Sequence, residues 1–288
     1  MNVGTFKVAS SEKLTSAINR NYSDLSYGLI CKIIKQKDVK VNGKRVSADI
    51  QLSAGDEVIF YYKAEVEKKI EIVYEDENLI IANKPKNIET ISDSGVSLLT
   101  KIQTQTQKTL YAVHRLDRNT EGLVVFAKNE KSKASLDSAL KNRTLEKFYL
   151  AWVFGTFEKP NDELVAYLKK DSKNSKVYIL DEMSDGYQKI QTNYKVLKEY
   201  DNSSIVEVEL ITGKTHQIRA HFAHIGHCLI GDEKYGEVSV NRQFGKRTQC
   251  LVSYKIKFHF DSADYLSYLD NMVVELTNDK IDFLNINK

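Results

Sequence analysis

Apolar and polar positions change period several times along this 288-residue chain, and each change marks an element. In YGLICKIIKQKDVKV, Leu29, Ile30, Ile33 and Ile34 recur at helical spacing while Lys32 and Lys35 fall off the stripe, which predicts a helix with one packed and one basic face. Val39 and Val41 then alternate with lysines up to Asn42-Gly43, a pair that tolerates positive φ at both turn positions and predicts a hairpin. The first segment reads as helix, helix, then small hairpins. KAEVEKK, residues 63–69, is charged, lacks Gly and Pro, and reads as a linker.

Beyond it, the β-branched runs of IEIVYEDENLIIANKP flank a polar EDEN turn and predict another hairpin. Further strands are predicted in LVVFAK, KFYLAWVFG, KVYIL, VEVEL and SYKIKFHF. Helices are predicted near residues 96–106, in KSKASLDSALKNR and in THQIRAHFAHIG, which Gly226 ends. Strands and helices mix without strict βαβ alternation. The class expected is therefore α+β: a mixed, mainly antiparallel sheet flanked by helices over residues 65–288, preceded by a small α/β module over residues 1–64.

Composition adds limits. At 42% hydrophobic residues the chain can bury a substantial core. MNVGTFKVAS shows no charged leader before an apolar stretch, and no apolar run approaches the roughly 18 residues of a membrane span, so a cytoplasmic protein off the membrane is expected. Cys31, Cys228 and Cys250 are too few and too scattered for a disulfide framework or paired zinc knuckles, and are expected to be buried apolar residues. Charge is uneven. Residues 1–65 carry ten basic and seven acidic side chains, whereas residues 66–288 carry 32 of each. The excess predicts that the first module meets a polyanion, through Lys32, Lys35, Lys40, Lys44 and Arg45.

Candidate chemistry concentrates in HRLDRNTEGLVVFAKN, residues 114–129. Asp117 lies between Arg115 and Arg118 in a loop that runs into an apolar strand, with Gly122 available for a close approach. Positive charge on both sides favours an ionised carboxylate, competent as nucleophile or base. Four of the six histidines, His216, His221, His224 and His227, fall within twelve residues and raise a zinc site as a rival. No HExxH spacing or Cys pair accompanies them, so no metal is expected. GxGxxG and GxxxxGK phosphate loops are absent from the sequence.

HRLDRNTEGLVVFAK closely resembles the signature of the RluA-type family of RNA pseudouridine synthases. KNRTLEKFYLAWVFG resembles that family's KxYxAxVxG stretch, and LITGKTHQIRAHFAHIGHCLIGDEKYG its GRTHQIRxHxxxIGHPLxGDxxYG region. The resemblance spans roughly residues 70–260. It implies isomerisation of uridine without a cofactor: cleavage of the N1–C1′ bond and rejoining through C5. Asp117 would be the catalytic residue, Tyr149 a base-facing neighbour able to help the late proton loss from C5, and Arg219 the charge partner of Asp117. Arg115 would enter the RNA stack, with Arg118 beside it on the RNA. Attack on the sugar carbon and abstraction of a sugar proton to give a glycal both stay open.

Residues 8–62 resemble the small RNA-binding module named after the fourth protein of the small ribosomal subunit. That arrangement points to ribosomal RNA first and transfer RNA second, for a monomeric enzyme. The other reading is an RNA-binding protein that has lost activity. The chain departs from the family pattern at Glu121, at LVS over residues 251–253, and in IANKPKNIETIS after NKP.

Overall fold

Asn42 and Gly43 adopt φ of 49° and 80°, the doubly positive turn their residue types predict, and join two three-residue strands into a hairpin. In this computed structural model, which describes residues 1–23, 25, 27–63, 69–93 and 95–284, the hairpin belongs to the first of two compact units, Met1–Lys68 and Lys69–Lys288. Most of the expected linker, residues 64–68, lies outside the described residues.

The first unit runs β1 (Asn2–Lys7), β2 (Glu12–Lys13), α1 (Leu14–Asn21), α2 (Tyr27–Lys35), β3 (Val39–Val41), β4 (Lys44–Val46), β5 (Gln51–Leu52) and β6 (Glu57–Tyr62). Four strands pair in the order β1-β6-β3-β4, and β2 pairs with β5. Leu14, Ile18, Ile30 and Ile33 of the helices pack with Val39, Val58 and Phe60 of the strands. The unit opens with a strand rather than the expected helix. NVGTFK is short and alternates weakly, and its pairing with β6 rests on a long-range contact: Gly4 stands opposite Phe60, where a Cβ would lie 2.2 Å from the ring. Cys31 is exposed, against expectation, because it sits on the outer side of α2, whereas Cys228 and Cys250 are buried.

The second unit continues with β7 (Glu71–Glu75), β8 (Leu79–Lys84), α3 (Leu98–Thr106), β9 (Tyr111–Ala112), β10 (Glu121–Ala127), α4 (Glu130–Asn142), β11 (Leu145–Phe154), β12 (Asn161–Asp171) and β13 (Lys176–Leu180). It ends with β14 (Gln188–Tyr200), β15 (Ser203–Leu210), α5 (Gln217–His224), α6 (Val238–Gln243), β16 (Leu251–Phe258) and β17 (Val273–Glu275). Among the described residues its sheet has eleven strands, ordered β13-β12-β14-β15-β11-β16-β10-β8-β7, with β17 on β16 and β9 on β10. The β10–β16 pair is parallel and the other pairings are antiparallel. This is the α+β architecture that the mixed pattern predicts.

Because successive strand residues face opposite sides, β10 and β11 supply two cores. Leu123, Val125, Leu150 and Trp152 face one side with Leu136 of α4. Val124, Phe126, Tyr149 and Ala151 face the other, covered by Leu98 and Ile102 of α3 and Ile218 and Phe222 of α5. The second face carries the candidate site. Sequence patterning missed β12 and β14, whose buried sides are thin or partly polar: Ala166 and Leu168 on one, Ile190, Thr192 and Tyr194 on the other.

Candidate active site

The loop 113–120 that feeds β10 is gripped at residue after residue. His114 accepts the Val125 N–H on Nε2 at 3.1 Å. Burial, then the nearby charge of Lys147, pushes the pKa of His114 down to about 3, so the ring is neutral. Leu116 donates its N–H to Thr90 Oγ1 at 3.0 Å and accepts that hydroxyl on its carbonyl at 3.2 Å. Asp117 accepts the Thr120 N–H on its own carbonyl at 3.0 Å, and the Thr120 hydroxyl accepts from Gln249 Nε2 at 2.7 Å. Where the loop meets the sheet, Gly122 (φ 111°) stands against Ser253 of β16. A Cβ there would lie 2.1 Å from the Ser253 carbonyl oxygen.

Lys84, fully buried at the end of β8, staples this loop to the next. Its ammonium donates to the carbonyls of Pro85, Ile88 and Arg118 at 2.9, 2.8 and 3.0 Å. Burial pushes its pKa down to about 8, against the charges of Glu121 and Asp117, which leaves it an ammonium at neutral pH.

Asp117 is held from across the chain rather than by its sequence neighbours. Arg219, on the first turn of α5, donates from Nη1 to Asp117 Oδ2 at 2.9 Å. Its Nε and Nη2 donate to Asp232 Oδ2 and Oδ1 at 2.6 and 2.9 Å. Asp232 Oδ1 also accepts the N–H groups of Lys234 and Tyr235 at 2.8 and 3.1 Å. Burial opposes both charges, but the pairing wins: the guanidinium is raised above its ordinary value and the Asp232 carboxyl held below the usual carboxylate range.

His216 precedes α5 in a left-handed conformation (φ 52°), which brings its Nε2 to 3.8 Å from Asp117 Oδ2. Its Nδ1 lies 2.9 Å from the Tyr235 hydroxyl, and that hydroxyl accepts the Val177 N–H at 2.9 Å. An ionised carboxylate can only accept, so the neutral tautomer that suits both neighbours carries its proton on Nε2, facing Asp117, and accepts the Tyr235 hydroxyl on Nδ1. Burial first, with the charges of Arg219 and Lys234, lowers the His216 pKa against the pull of Asp117, consistent with the neutral tautomer.

Asp117, His216 and Arg219 line a cavity of about 380 Å³ that also takes in Arg115, Lys147, Tyr149 and Lys214. Of the residues singled out in this unit, Asp117, Tyr149, Arg219 and Arg115 line it. Arg118 does not; it is exposed, with Nε directed at the Asn87 carbonyl at 3.4 Å. Tyr149 is nearly fully buried, and burial, with the charge of Asp117 adding, raises its phenol above the ordinary range. Such a phenol is protonated at neutral pH and can donate a hydrogen bond into the cavity. Two of the departures from the family pattern are partners, since Lys86 Nζ meets Glu121 Oε2 at 2.8 Å. The other three histidines of the cluster diverge: His221 faces Thr192, His224 faces Asp181, and His227 faces the Phe154 carbonyl.

Sequence reasoning passed over Lys84, Thr90, Asp232, Tyr235 and Gln249. Asp232 and Tyr235 lay in the GDEKYG motif already quoted, which was their available signal. In the first unit, Lys40 and Arg45 are register partners on β3 and β4, and Lys40 Nζ lies over the Tyr61 ring at 5.9 Å. Lys32, Lys35, Lys44 and Arg45 are exposed.

Comparison with known proteins identifies residues 78–224 with the family model described as RNA pseudouridylate synthase. The ribosomal large subunit pseudouridine synthase C of Rickettsia bellii is 34% identical over 251 residues, 78% of this chain and 83% of the relative. The protein of that name from Vibrio parahaemolyticus is 28% identical over 280 residues, 88% and 87% of the two chains. The solved structure of human RNA pseudouridylate synthase domain containing 1 superimposes with a TM-score of 0.59 at 23% identity, over 78% of this chain and 98% of that one, which shows the shared fold.

Proposed function

The chain belongs to the RNA pseudouridylate synthase family, and from that premise we propose that it isomerises uridines in large-subunit ribosomal RNA with Asp117 as the catalytic carboxylate. The observation that carries the reading is the cavity's charge pattern: among the described residues that line it, Asp117 is the sole carboxylate, held at 2.9 Å by Arg219. Glycoside hydrolysis generally uses two carboxylates, one acid and one nucleophile or base for water. Isomerisation adds no water and needs one. Glu121, the nearest alternative in sequence, is engaged by Lys86.

In this reading Asp117 either attacks C1′ or removes a sugar proton to form a glycal, and the bonding pair leaves with N1. The uracil turns and C5 bonds to C1′, as Asp117 is displaced from C1′ in the first route or returns its proton to the sugar in the second; the C5 proton then passes to solvent while N1 takes one up. Tyr149 forms the inner wall against the base, and Arg219 keeps Asp117 aimed. A uridine in structured RNA must first leave its stack, at a cost of a few kcal/mol. Arg115, exposed and lining the cavity, would stack into the vacancy, while Arg118 would meet a phosphate. The first unit would act as an RNA-binding module of the ribosomal-protein type, with Lys32, Lys35, Lys40, Lys44 and Arg45 on the phosphates. Ribosomal RNA precedes transfer RNA because the relatives above are named for the large subunit. The enzyme would act as a monomer in the cytoplasm; no helix among the described residues is long and apolar enough to cross a membrane.

The test is a map of pseudouridines in total RNA from cells with the gene, without it, and with an Asp117→Asn copy. Sites in large-subunit RNA that vanish in both the second and third strains are expected. Sites that persist with Asp117→Asn would remove the catalytic assignment, and sites found in another RNA would redirect the substrate.

A further inference from the structure

Among the described residues, Lys147 has no ion-pair partner for its ammonium. It lies on β11 two residues before Tyr149, so both side chains face the same side of the strand, and both line the cavity. Three other half-buried lysines of this unit are matched by carboxylates: Lys128 with Glu75, Lys255 with Glu207, Lys86 with Glu121. The Lys147 ammonium, among the described residues, makes no hydrogen bond or ion pair, and burial lowers its pKa with nothing opposing. A desolvated ammonium without a partner is costly, and here it opens onto the cavity that also holds Asp117. The surroundings leave it room. Gly213 has no side chain, and a Cβ there would lie 3.5 Å from Lys147 Nζ. His114, close enough to feel its charge, is neutral.

We propose that Lys147 contacts a carbonyl oxygen of the uracil and stabilises the base as an anion while it is detached from the sugar. When N1–C1′ breaks, the bonding pair passes to N1 and its charge spreads over N1, C5, O2 and O4. The ammonium faces that charge and keeps its own proton throughout. Re-bonding through C5 neutralises that charge, after which C5 loses its proton to solvent and N1 takes one up from solvent, leaving a neutral base. A fixed cation aimed at charge that appears only during the reaction lowers the barrier more than it tightens binding. Phosphates are better met by Arg115 and Lys214, which are exposed at the rim. This inference rests on the reading of the cavity as the uridine site with Asp117 at its centre.

The experiment follows tritium release from total RNA labelled with [5-³H]uridine in cells lacking the gene, under enzyme excess, which yields a maximal rate and a half-saturating enzyme concentration. Lys147→Met should lower the maximal rate by about 10²–10³-fold with half-saturation changed less than about threefold, and Lys147→Arg should recover part of the rate. Lys147→Gln replaces any variant that fails to melt cooperatively. A wild-type maximal rate in Lys147→Met, weakened half-saturation at an unchanged maximal rate, or no recovery in Lys147→Arg would overturn the proposal. Asp117→Asn is assayed in parallel. Full activity there would sink the site reading itself, whereas an inactive Asp117→Asn beside a normal Lys147→Met would sink the role of Lys147 alone.

Discussion

Arg219 holds Asp117 through one N–H, from Nη1 to Oδ2 at 2.9 Å, while its Nε and Nη2 grip the two oxygens of buried Asp232. The guanidinium is thus a spacer between the buried carboxylate of Asp232 and the Asp117 carboxylate that lines the cavity. A lysine, with one compact ammonium, cannot bridge both.

Arg219→Lys should therefore lower the maximal rate of pseudouridine formation by about 10²-fold, through misplacement of Asp117, and lower stability by about 2–4 kcal/mol through lost charge-assisted bonds. The pH dependence has a definite sign. Asp232 is held below its unfolded value, so its pairing contributes stability that is complete above about pH 4 and is lost as pH falls through the lower folded value. Acid unfolding followed by circular dichroism should begin at higher pH in Arg219→Lys than in the wild type. Coincident acid transitions would contradict the pairing as a source of stability.

Tyr235→Phe removes the hydroxyl that accepts from Val177 and orients His216, with the ring otherwise retained. The Val177 N–H loses its acceptor, at a cost of about 1–2 kcal/mol. The His216 ring is then free to rotate, so Nε2–H no longer faces Asp117. The maximal rate should fall roughly tenfold with RNA affinity unchanged. An unaltered maximal rate would show that the orientation of His216 has no bearing on the reaction.

How far the site could be read from the chain follows from where its contacts come from. Asp117, Tyr149 and Arg219 sit in motifs whose residue order alone marks them, and the structure gathers all three at one cavity. Their supports were hidden because each acts across a gap in sequence: Thr90 on Leu116, Lys84 on Arg118, Gln249 on Thr120. His216 was visible only as one of a cluster suggestive of metal. Its left-handed backbone takes it out of the helix expected over THQIRAHFAHIG. For the fold, runs such as LVVFAK announce strands because both faces are buried, whereas β12 and β14 lie towards the sheet's margin and bury only thin or partly polar sides, and β1 depends on Phe60 lying over Gly4.

Lys84→Met tests whether the staple matters to folding. The methionine fills much of the space but leaves the carbonyls of Pro85, Ile88 and Arg118 without their shared donor. A loss of about 2–4 kcal/mol is expected from buried acceptors left unpaired, read as a lower midpoint in urea. Amide exchange should rise in residues 85–90 and 115–120 ahead of β10 and β11. Uniform exchange across the unit would mean that Lys84 supports the fold generally rather than these loops.

The basic residues of the first unit make a prediction about salt rather than rate. Lys35, Lys44 and Arg45 are exposed, and Lys40 lies on β3 with its neighbours Val39 and Val41 turned into the core, so all four can become Gln without a packing penalty. If each neutralises one phosphate, binding releases one counterion per contact, and the slope of log affinity against log salt should flatten by about 0.7–0.9 per residue, or roughly 3 for the quadruple variant. The saturated rate should hold, because Asp117, Arg219 and Tyr149 belong to the second unit. Filter binding to labelled large-subunit RNA across a salt series measures the slope. An unchanged slope would mean these side chains form an ordinary solvated surface and that the RNA grip lies elsewhere, with Arg115 and Lys214 at the cavity rim the next to be neutralised.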